Sequence, residues 1–221
     1  MAPRQLPVGM WQPHSKWYIA LMAQAAPLPF LEFRDPDQRV AMHGMSWWQY
    51  EVMLAARGES PVPRMAYCDG VIELMSPGLL HEGTKSVLGM LVEAYCFHQG
   101  NYFVPMASTT LKQPAAQKGA EPDESYALSK GREVPDLAIE VIFTSGSIDK
   151  LTLYRDLGVG EVWFWIQDKL MGYVLKDGAY QDIDESVALP GLKLATLTRY
   201  ASMGDAYEAV RAFKRSLVEA G

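Results

Sequence analysis

The 221 residues of the chain are enough for one domain of ordinary size with some peripheral additions. Hydrophobic residues make up 49% and charged residues 21% of the chain at a mean hydropathy of -0.06, a balance that excludes a disordered chain. The formal net charge of -6 excludes a surface that is basic throughout, so any contact with nucleic acid must be local.

The start of the chain has no clear periodicity. Residues 1–41 carry six prolines and are predicted to form a peripheral N-terminal arm. Within them, the apolar stretch 17–26 is a poor match for a secretory signal because it is short, and Pro27 and Pro29 end it far short of a membrane helix. We therefore expect neither a signal peptide nor a membrane span.

The next segments have recognisable helix and turn signals. Ser46 is a good N-cap for a helix that Gly58 would end. Asp69-Gly70 stands between two apolar runs, which is the strongest short-range signal of a β-hairpin.

The chain has only two cysteines, Cys68 and Cys96. This usage is typical of a reducing compartment, so a cytoplasmic location is expected.

The second half of the chain alternates between helical and strand patterns. From His81, apolar residues recur at helical spacing until Gly100. Residues 137–143 form a nearly continuous apolar run, as in a strand buried on both faces. Strands followed by alternating helix and strand predict a mixed sheet with helices packed on it. The remaining predicted elements are a short helix over 148–157, a strand over 161–166, hairpin strands that turn at 167–168 and 177–178, and a helical tail over 201–221.

One acidic residue, Glu140, interrupts the apolar run. A carboxylate buried in a strand is costly unless a partner compensates its charge. The partner could be an arginine or lysine in an ion pair, or a divalent metal shared with a second carboxylate. This position alone leaves both alternatives open.

Two aspartates compete to be that second carboxylate. Asp136 lies on the same predicted strand as Glu140, and at about 3.3 Å per residue their Cα atoms are roughly 13 Å apart, too far for one ion. Asp123 lies on the preceding strand, where antiparallel pairing brings neighbours to about 5 Å. We therefore predict Asp123 as the partner of Glu140, with Asp136 ordering the start of the strand beside Pro135 or standing behind the ligands.

Several short motifs follow one another in a fixed order. They are the run 69–77 followed by His81, Pro122-Asp123, the run 135–141, the run 149–154 with its Asp-Lys-Leu start, and the run 158–163. This ordered set resembles the Uma family, which is similar to restriction endonucleases. The resemblance covers about residues 42–200 and implies an α/β restriction-endonuclease-like core, a mixed central sheet flanked by helices with extra hairpin strands.

In this superfamily, an Asp and a Glu on adjacent strands bind magnesium, and Asp123 and Glu140 match that pair. The superfamily's lysine normally stands two residues after the Glu, where this chain has Ile142. Lys150, on the following helix, is the candidate replacement, since a cation that reaches the same pocket can do the same electrostatic work. The alternative is an exposed lysine that pairs with a neighbouring aspartate.

His81 matches a family position at the start of the long helix, where it could contact a phosphate or position a water. A lone histidine at a helix start is otherwise often a cap or a solvent-exposed residue. Glu82 beside it could supply the additional helix carboxylate found in the superfamily.

The resemblance therefore implies a hydrolase, a metal-dependent endonuclease that cleaves nucleic acid, with DNA as the expected substrate and a homodimer as the expected assembly. Hard carboxylate ligands favour Mg²⁺ or Mn²⁺ over zinc. The broken lysine motif leaves a catalytically inactive module that binds nucleic acid or protein as the main alternative. A third is an assembly protein whose aromatic surface includes Trp47, Trp48, Trp163 and Trp165.

Overall fold

The computed structural model describes residues 37–143 and 146–220 of the chain. This part contains eleven strands and five helices. The helices are α1 (Trp47–Arg57), α2 (Leu79–Gln99), α3 (Lys150–Leu157), α4 (Leu194–Ala201) and α5 (Ala206–Ala220). The strands are β1 (Gln38–His43), β2 (Arg64–Cys68), β3 (Val71–Ser76), β4 (Val104–Pro105), β5 (Leu111–Gln113), β6 (Lys118–Ala120), β7 (Glu124–Ala127), β8 (Leu137–Ile142), β9 (Glu161–Ile166), β10 (Lys169–Lys176) and β11 (Ala179–Ile183).

The strands form two sheets. One has five antiparallel strands in the order β1-β3-β2-β6-β5, and the other has six strands in the order β11-β10-β9-β8-β7-β4. In the larger sheet β8 and β9 are parallel and α3 connects them, whereas the other pairs are antiparallel. The predicted α/β class with a mixed sheet is confirmed.

Local signals place the first helix and the hairpin where they were predicted. Ser46 caps α1 in a capping box with Gln49, and Gly58 ends the helix. Asp69 and Gly70 join β2 to β3 with φ angles of 48° and 82°, the two positive values that a type I′ turn requires. Helix α2 starts two residues before the predicted His81.

Most of strand β1 lies in the segment 1–41 that was predicted to be an arm. It pairs antiparallel with β3 over its full length, so the boundary expected between residues 41 and 42 falls inside a strand. The rest of the predicted arm, residues 1–36, lies outside the described residues, and with it the apolar stretch 17–26. None of the helices in the described residues is long and apolar enough to cross a bilayer.

The central strands β8 and β9 of the six-stranded sheet are buried on both faces. One face packs Ile139 and Trp163 against α2, α4 and α5. The other face packs Ala138 and Phe164 against α3 and against residues of the smaller sheet. Trp165 is also in the core, at 2% exposure. Two of the four tryptophans suggested for a self-association surface are therefore core residues, which corrects that part of the assembly alternative.

The smaller sheet contains a close contact between a glycine and an aromatic ring. A Cβ atom added to Gly119 would lie 2.5 Å from Tyr50 Oη, and the Tyr50 ring is fully buried. We expect Gly119→Ala to destabilise the fold by about 1–3 kcal/mol in urea unfolding, because the ring cannot move without disturbing its neighbours. Gly83→Ala in α2 is the matched control and should stabilise by roughly 0.5–1 kcal/mol, since no atom lies within 4 Å of that Cβ. Equal effects of the two substitutions would contradict this packing.

Candidate active site

The two predicted acidic residues lie near each other in the larger sheet, Glu140 on β8 and Asp123 just before β7. Antiparallel pairing of β7 with β8 sets Glu124 opposite Ile139, and the same register continued by one residue sets Asp123 opposite Glu140. The backbone N–H of Val141 donates to Asp123 Oδ2 at 2.7 Å. Both carboxylates are buried, so each needs partners that compensate its charge.

Asp136 is at the other end of β8. Its Oδ2 accepts a 2.7 Å hydrogen bond from the backbone N–H of Leu128, and Arg132 pairs with it at 2.6 Å. Strand geometry therefore keeps Asp136 away from Glu140, and its contacts order the loop that leads into the strand.

Helix α3 brings two groups to Glu140. Lys150, its first residue, donates from Nζ to Glu140 Oε1 at 2.9 Å. One turn later, the Tyr154 hydroxyl donates to the same oxygen. Burial, followed by the charge of Glu140, raises the pKa of Tyr154 well above its usual value and keeps this donor protonated. The Asp149 carboxylate accepts from the N–H groups of Leu151 and Thr152 and so caps the N-terminus of α3.

Ile142 occupies the position of the motif lysine. It lies two residues beyond Glu140 on the same face of β8, and the parallel register pairs it with Ile166 of β9. Both residues line a cavity of about 340 Å³ that also borders Glu140 and Lys150. The motif position on β8 thus carries an apolar side chain, and the cation at this cavity is Lys150 of α3.

His81 is buried, with 1% exposure, and it connects two carboxylates. Its Nδ1 lies 2.9 Å from Asp37 Oδ2 and its Nε2 lies 3.0 Å from Asp123 Oδ2. Burial lowers the pKa of His81, although the hydrogen bond to Asp37 opposes this change. The expected solvent-exposed or capping alternative is therefore wrong, because the ring is enclosed between two carboxylates.

Arg64 is a site residue that the sequence did not point out. Its guanidinium contacts Asp123 Oδ1, and its Nη2 donates to Glu82 Oε1 at 2.6 Å. Lys85 also pairs with Glu82, at 2.6 Å. Burial raises the pKa of Glu82, but the two cations outweigh it and the net pKa is lowered. Asp123 thus has a permanent cation beside it even without a metal.

The Arg64 contact gives a stability prediction. Arg64→Met leaves the Asp123 carboxylate buried without its cation, which costs about 3–5 kcal/mol when a buried pair is broken. Urea unfolding should show this loss, whereas Arg211→Met at an exposed pair with Glu208 should cost less than about 1 kcal/mol. A similar loss for both variants would show that Asp123 does not depend on Arg64.

The donor set decides which cation this site could hold. Among residues 37–143 and 146–220, no three His, Cys, Asp or Glu side chains are grouped to hold a metal ion. Mg²⁺ is commonly bound through one or two carboxylates while water completes its shell. A cation at Asp123 would compete with Arg64, which keeps Glu82 as a second partner. The Asp123–Glu140 pair therefore fits Mg²⁺ with few protein ligands, and does not fit a closed zinc site.

Asp37, Arg64 and Tyr154 are the partners that sequence reasoning did not assign. Tyr154 was part of the matched motif run but had no role. Arg64, like Glu140, is a charged residue on a buried strand. That pattern could have identified Arg64 as a site residue. Asp37 carries no such signal.

Comparisons with known proteins identify the family. The chain is similar to a solved structure from Anabaena variabilis described as "a putative nuclease belonging to DUF820", with 14% identity and a TM-score of 0.45 over 71% of this chain and 95% of that one. No curated protein matches the sequence. The sequence model of Uma2, described as "Putative restriction endonuclease", matches residues 47–198. Because this match covers well over half of its length, the chain belongs to the Uma2 family.

Proposed function

We propose that this chain is a metal-dependent endonuclease that hydrolyses phosphodiester bonds of nucleic acid, with DNA as its substrate. The observation that carries the proposal is the position of Lys150 Nζ, 2.9 Å from Glu140 Oε1, while Asp123 accepts a hydrogen bond from the backbone of Val141, the residue after Glu140. Two carboxylates and a lysine are the parts that the superfamily uses. Membership of the Uma2 family supports the same assignment.

In this proposal Asp123 and Glu140 hold Mg²⁺ or Mn²⁺. A bound ion supplies a Lewis acid that polarises the phosphoryl oxygen and lowers the pKa of a bound water. The carboxylates are suited to this because they are held rigidly, Asp123 by the Val141 N–H and Glu140 by the Tyr154 hydroxyl. Rigid ligands need no rearrangement when charge develops at the phosphate.

Lys150 supplies positive charge to the reacting phosphate. Its side chain is 17% exposed, so the ammonium group borders both Glu140 and the cavity. A cation that is already positioned stabilises the negative charge that develops on the phosphoryl oxygens. Lys150 thus supplies from the first turn of α3 the positive charge that the motif lysine would supply from β8.

His81 acts as a positioning residue. The ring is too deeply buried for the phosphate contact that its place in the motif suggested. Its hydrogen bond to Asp37 instead fixes the ring, and the fixed ring lies against Asp123, with Nε2 3.0 Å from Oδ2.

The test is a cleavage assay with plasmid and single-stranded DNA in Mg²⁺, Mn²⁺ or EDTA. Cleavage that requires either metal and stops in EDTA is expected. Absence of cleavage, together with absence of metal binding by calorimetry, would overturn the proposal.

The homodimer and the cytoplasmic location remain predictions. Two copies related by a two-fold axis suit the cleavage of both strands of a duplex, and a strictly monomeric species at high concentration would count against this. Cys68 and Cys96 are both free thiols, which supports a reducing compartment.

A second candidate is an inactive module of the same fold that binds nucleic acid or protein. The observation that favours it is the saturation of Asp123, whose oxygens already contact Arg64, His81 and the Val141 N–H. If Arg64 cannot be displaced, the carboxylate is a structural group. Nucleic-acid binding without turnover or metal binding would favour this module.

A further inference from the structure

The cavity beside Glu140 and Lys150 has a wall that the proposed chemistry does not use. It opens at the carboxyl ends of the parallel strands β8 and β9, the edge of an α/β sheet at which ligands commonly bind. Its volume of about 340 Å³ is near the lower limit for small-molecule sites, so it suits one ring system.

Two aromatic rings form part of that wall. Phe164 of β9 and Tyr173 of β10 lie with their ring centroids 5.7 Å apart in an edge-to-face arrangement. The other large apolar side chains of the lining are Ile142, Ile148, Leu151 and Ile166. Tyr173 is half-buried, so part of its ring stays accessible from the cavity. A flat apolar ligand could stack here and lose little hydration of polar groups.

The charged residues of the same cavity fit a ligand attached to phosphate. Lys150 and Arg39 border it together with Glu140 and Asp149, where Lys150 pairs with Glu140 at 2.9 Å and Arg39 with Glu73 at 2.8 Å. Cations at a rim bind the phosphate backbone, whereas aromatic rings bind the base. The apolar wall and the charged residues are close to each other, because Ile142 and Glu140 are alternate residues of one strand.

We propose that this cavity receives the base of an unpaired nucleotide next to the phosphate that is cleaved, with the base stacked on Tyr173. The inference rests on the proposed function and names its substrate class, single-stranded DNA or a flipped nucleotide. A base within a duplex presents only its edges to protein, and its faces are covered by neighbouring bases, so it cannot stack on this wall.

The test compares binding of a thymidine oligomer and an abasic backbone of the same length, measured by fluorescence anisotropy in EDTA. The wild type should bind the thymidine oligomer at least about 5-fold more tightly, which is the lower end of what one stacked base contributes. Tyr173→Ala should remove most of this preference and leave the abasic affinity unchanged. Tyr173→Phe should retain it, because the flat ring remains.

Two further variants control for folding and for aromatic surface in general. Tyr173→Leu keeps an apolar side chain at the strand but removes the flat ring, so it should lose the preference even if the alanine variant is poorly folded. Tyr102→Ala removes an exposed tyrosine outside the cavity and should change neither affinity. Annealing the oligomer to its complement should lower its affinity to that of the abasic backbone.

The outcomes separate this inference from the proposed function. Equal binding of both ligands by the wild type would overturn the base pocket, whether or not the protein cleaves DNA. A thymidine preference that depends on Tyr173, without cleavage in Mg²⁺ or Mn²⁺ and without metal binding by calorimetry, would support the pocket and overturn the hydrolytic function.

Discussion

Glu140→Gln is expected to lower metal-dependent cleavage by at least about 100-fold, because a metal ion contributes several kcal/mol and each 1.4 kcal/mol corresponds to about tenfold in rate. Glutamine has nearly the same shape, and its carbonyl oxygen can still accept from Lys150 and Tyr154. The variant therefore removes the negative charge and keeps most of the packing. Calorimetry with Mn²⁺ should show a parallel loss of metal affinity.

The matched control is Glu161→Gln. Glu161 is as deeply buried, on β9, where it accepts hydrogen bonds from Trp163 and from the backbone of Val187 and Ala188. Its loss of charge should reduce stability and leave the cleavage rate of the folded protein unchanged. If both variants lose activity to the same extent, the loss at Glu140 reflects general damage to the sheet, and the metal assignment fails.

The second large effect on the cleavage rate is expected from substitution of Lys150. Lys150→Met should lower the cleavage rate by about 100-fold or more, the usual result of removing one preorganised group that stabilises developing charge. Adding Ile142→Lys to that variant should restore part of the rate. Residue 142 lies on the same face of β8 as Glu140 and lines the same cavity as Lys150. A lysine there can therefore bring its charge to the same phosphoryl oxygens.

Rates of the single and double variants are to be compared at saturating DNA, with circular dichroism as the check on folding. Ile142→Met combined with Lys150→Met is the control for a long side chain without charge and should not recover. If the double variant Ile142→Lys with Lys150→Met is folded but stays as slow as Lys150→Met alone, the position of the charge on α3 matters, and not only its presence.

The sequence predicted the elements that depend on local signals. Ser46 and Gly58 bound a helix, and Asp69-Gly70 forms the turn of a hairpin, because the chemistry of these residues acts within a few positions of the chain. The adjacency of Asp123 and Glu140 could also be predicted, since the turn between their strands and the alternation of each strand determine the register.

The partners of these carboxylates could not be predicted in the same way. Arg64 comes from the smaller sheet, 59 residues before Asp123, and only tertiary packing brings the two together. Asp37 precedes a strand whose pattern of exposure is irregular, next to a proline-rich stretch, so neither periodicity nor turn chemistry indicated it. The replacement of the motif lysine by Lys150 came from the family resemblance, and its contact with Glu140 depends on how α3 packs.

The bond between His81 and Asp37 bears on how the protein can be shortened for laboratory work. The family match begins at residue 47, yet Asp37 and β1 lie before it and contact α2 and β3. A clone trimmed to the matched residues would uncover the β3 edge for aggregation and leave one imidazole nitrogen without its acceptor. Inactivity of such a fragment would therefore reveal nothing about the longer chain, and any expression clone should retain residue 37 and those that follow.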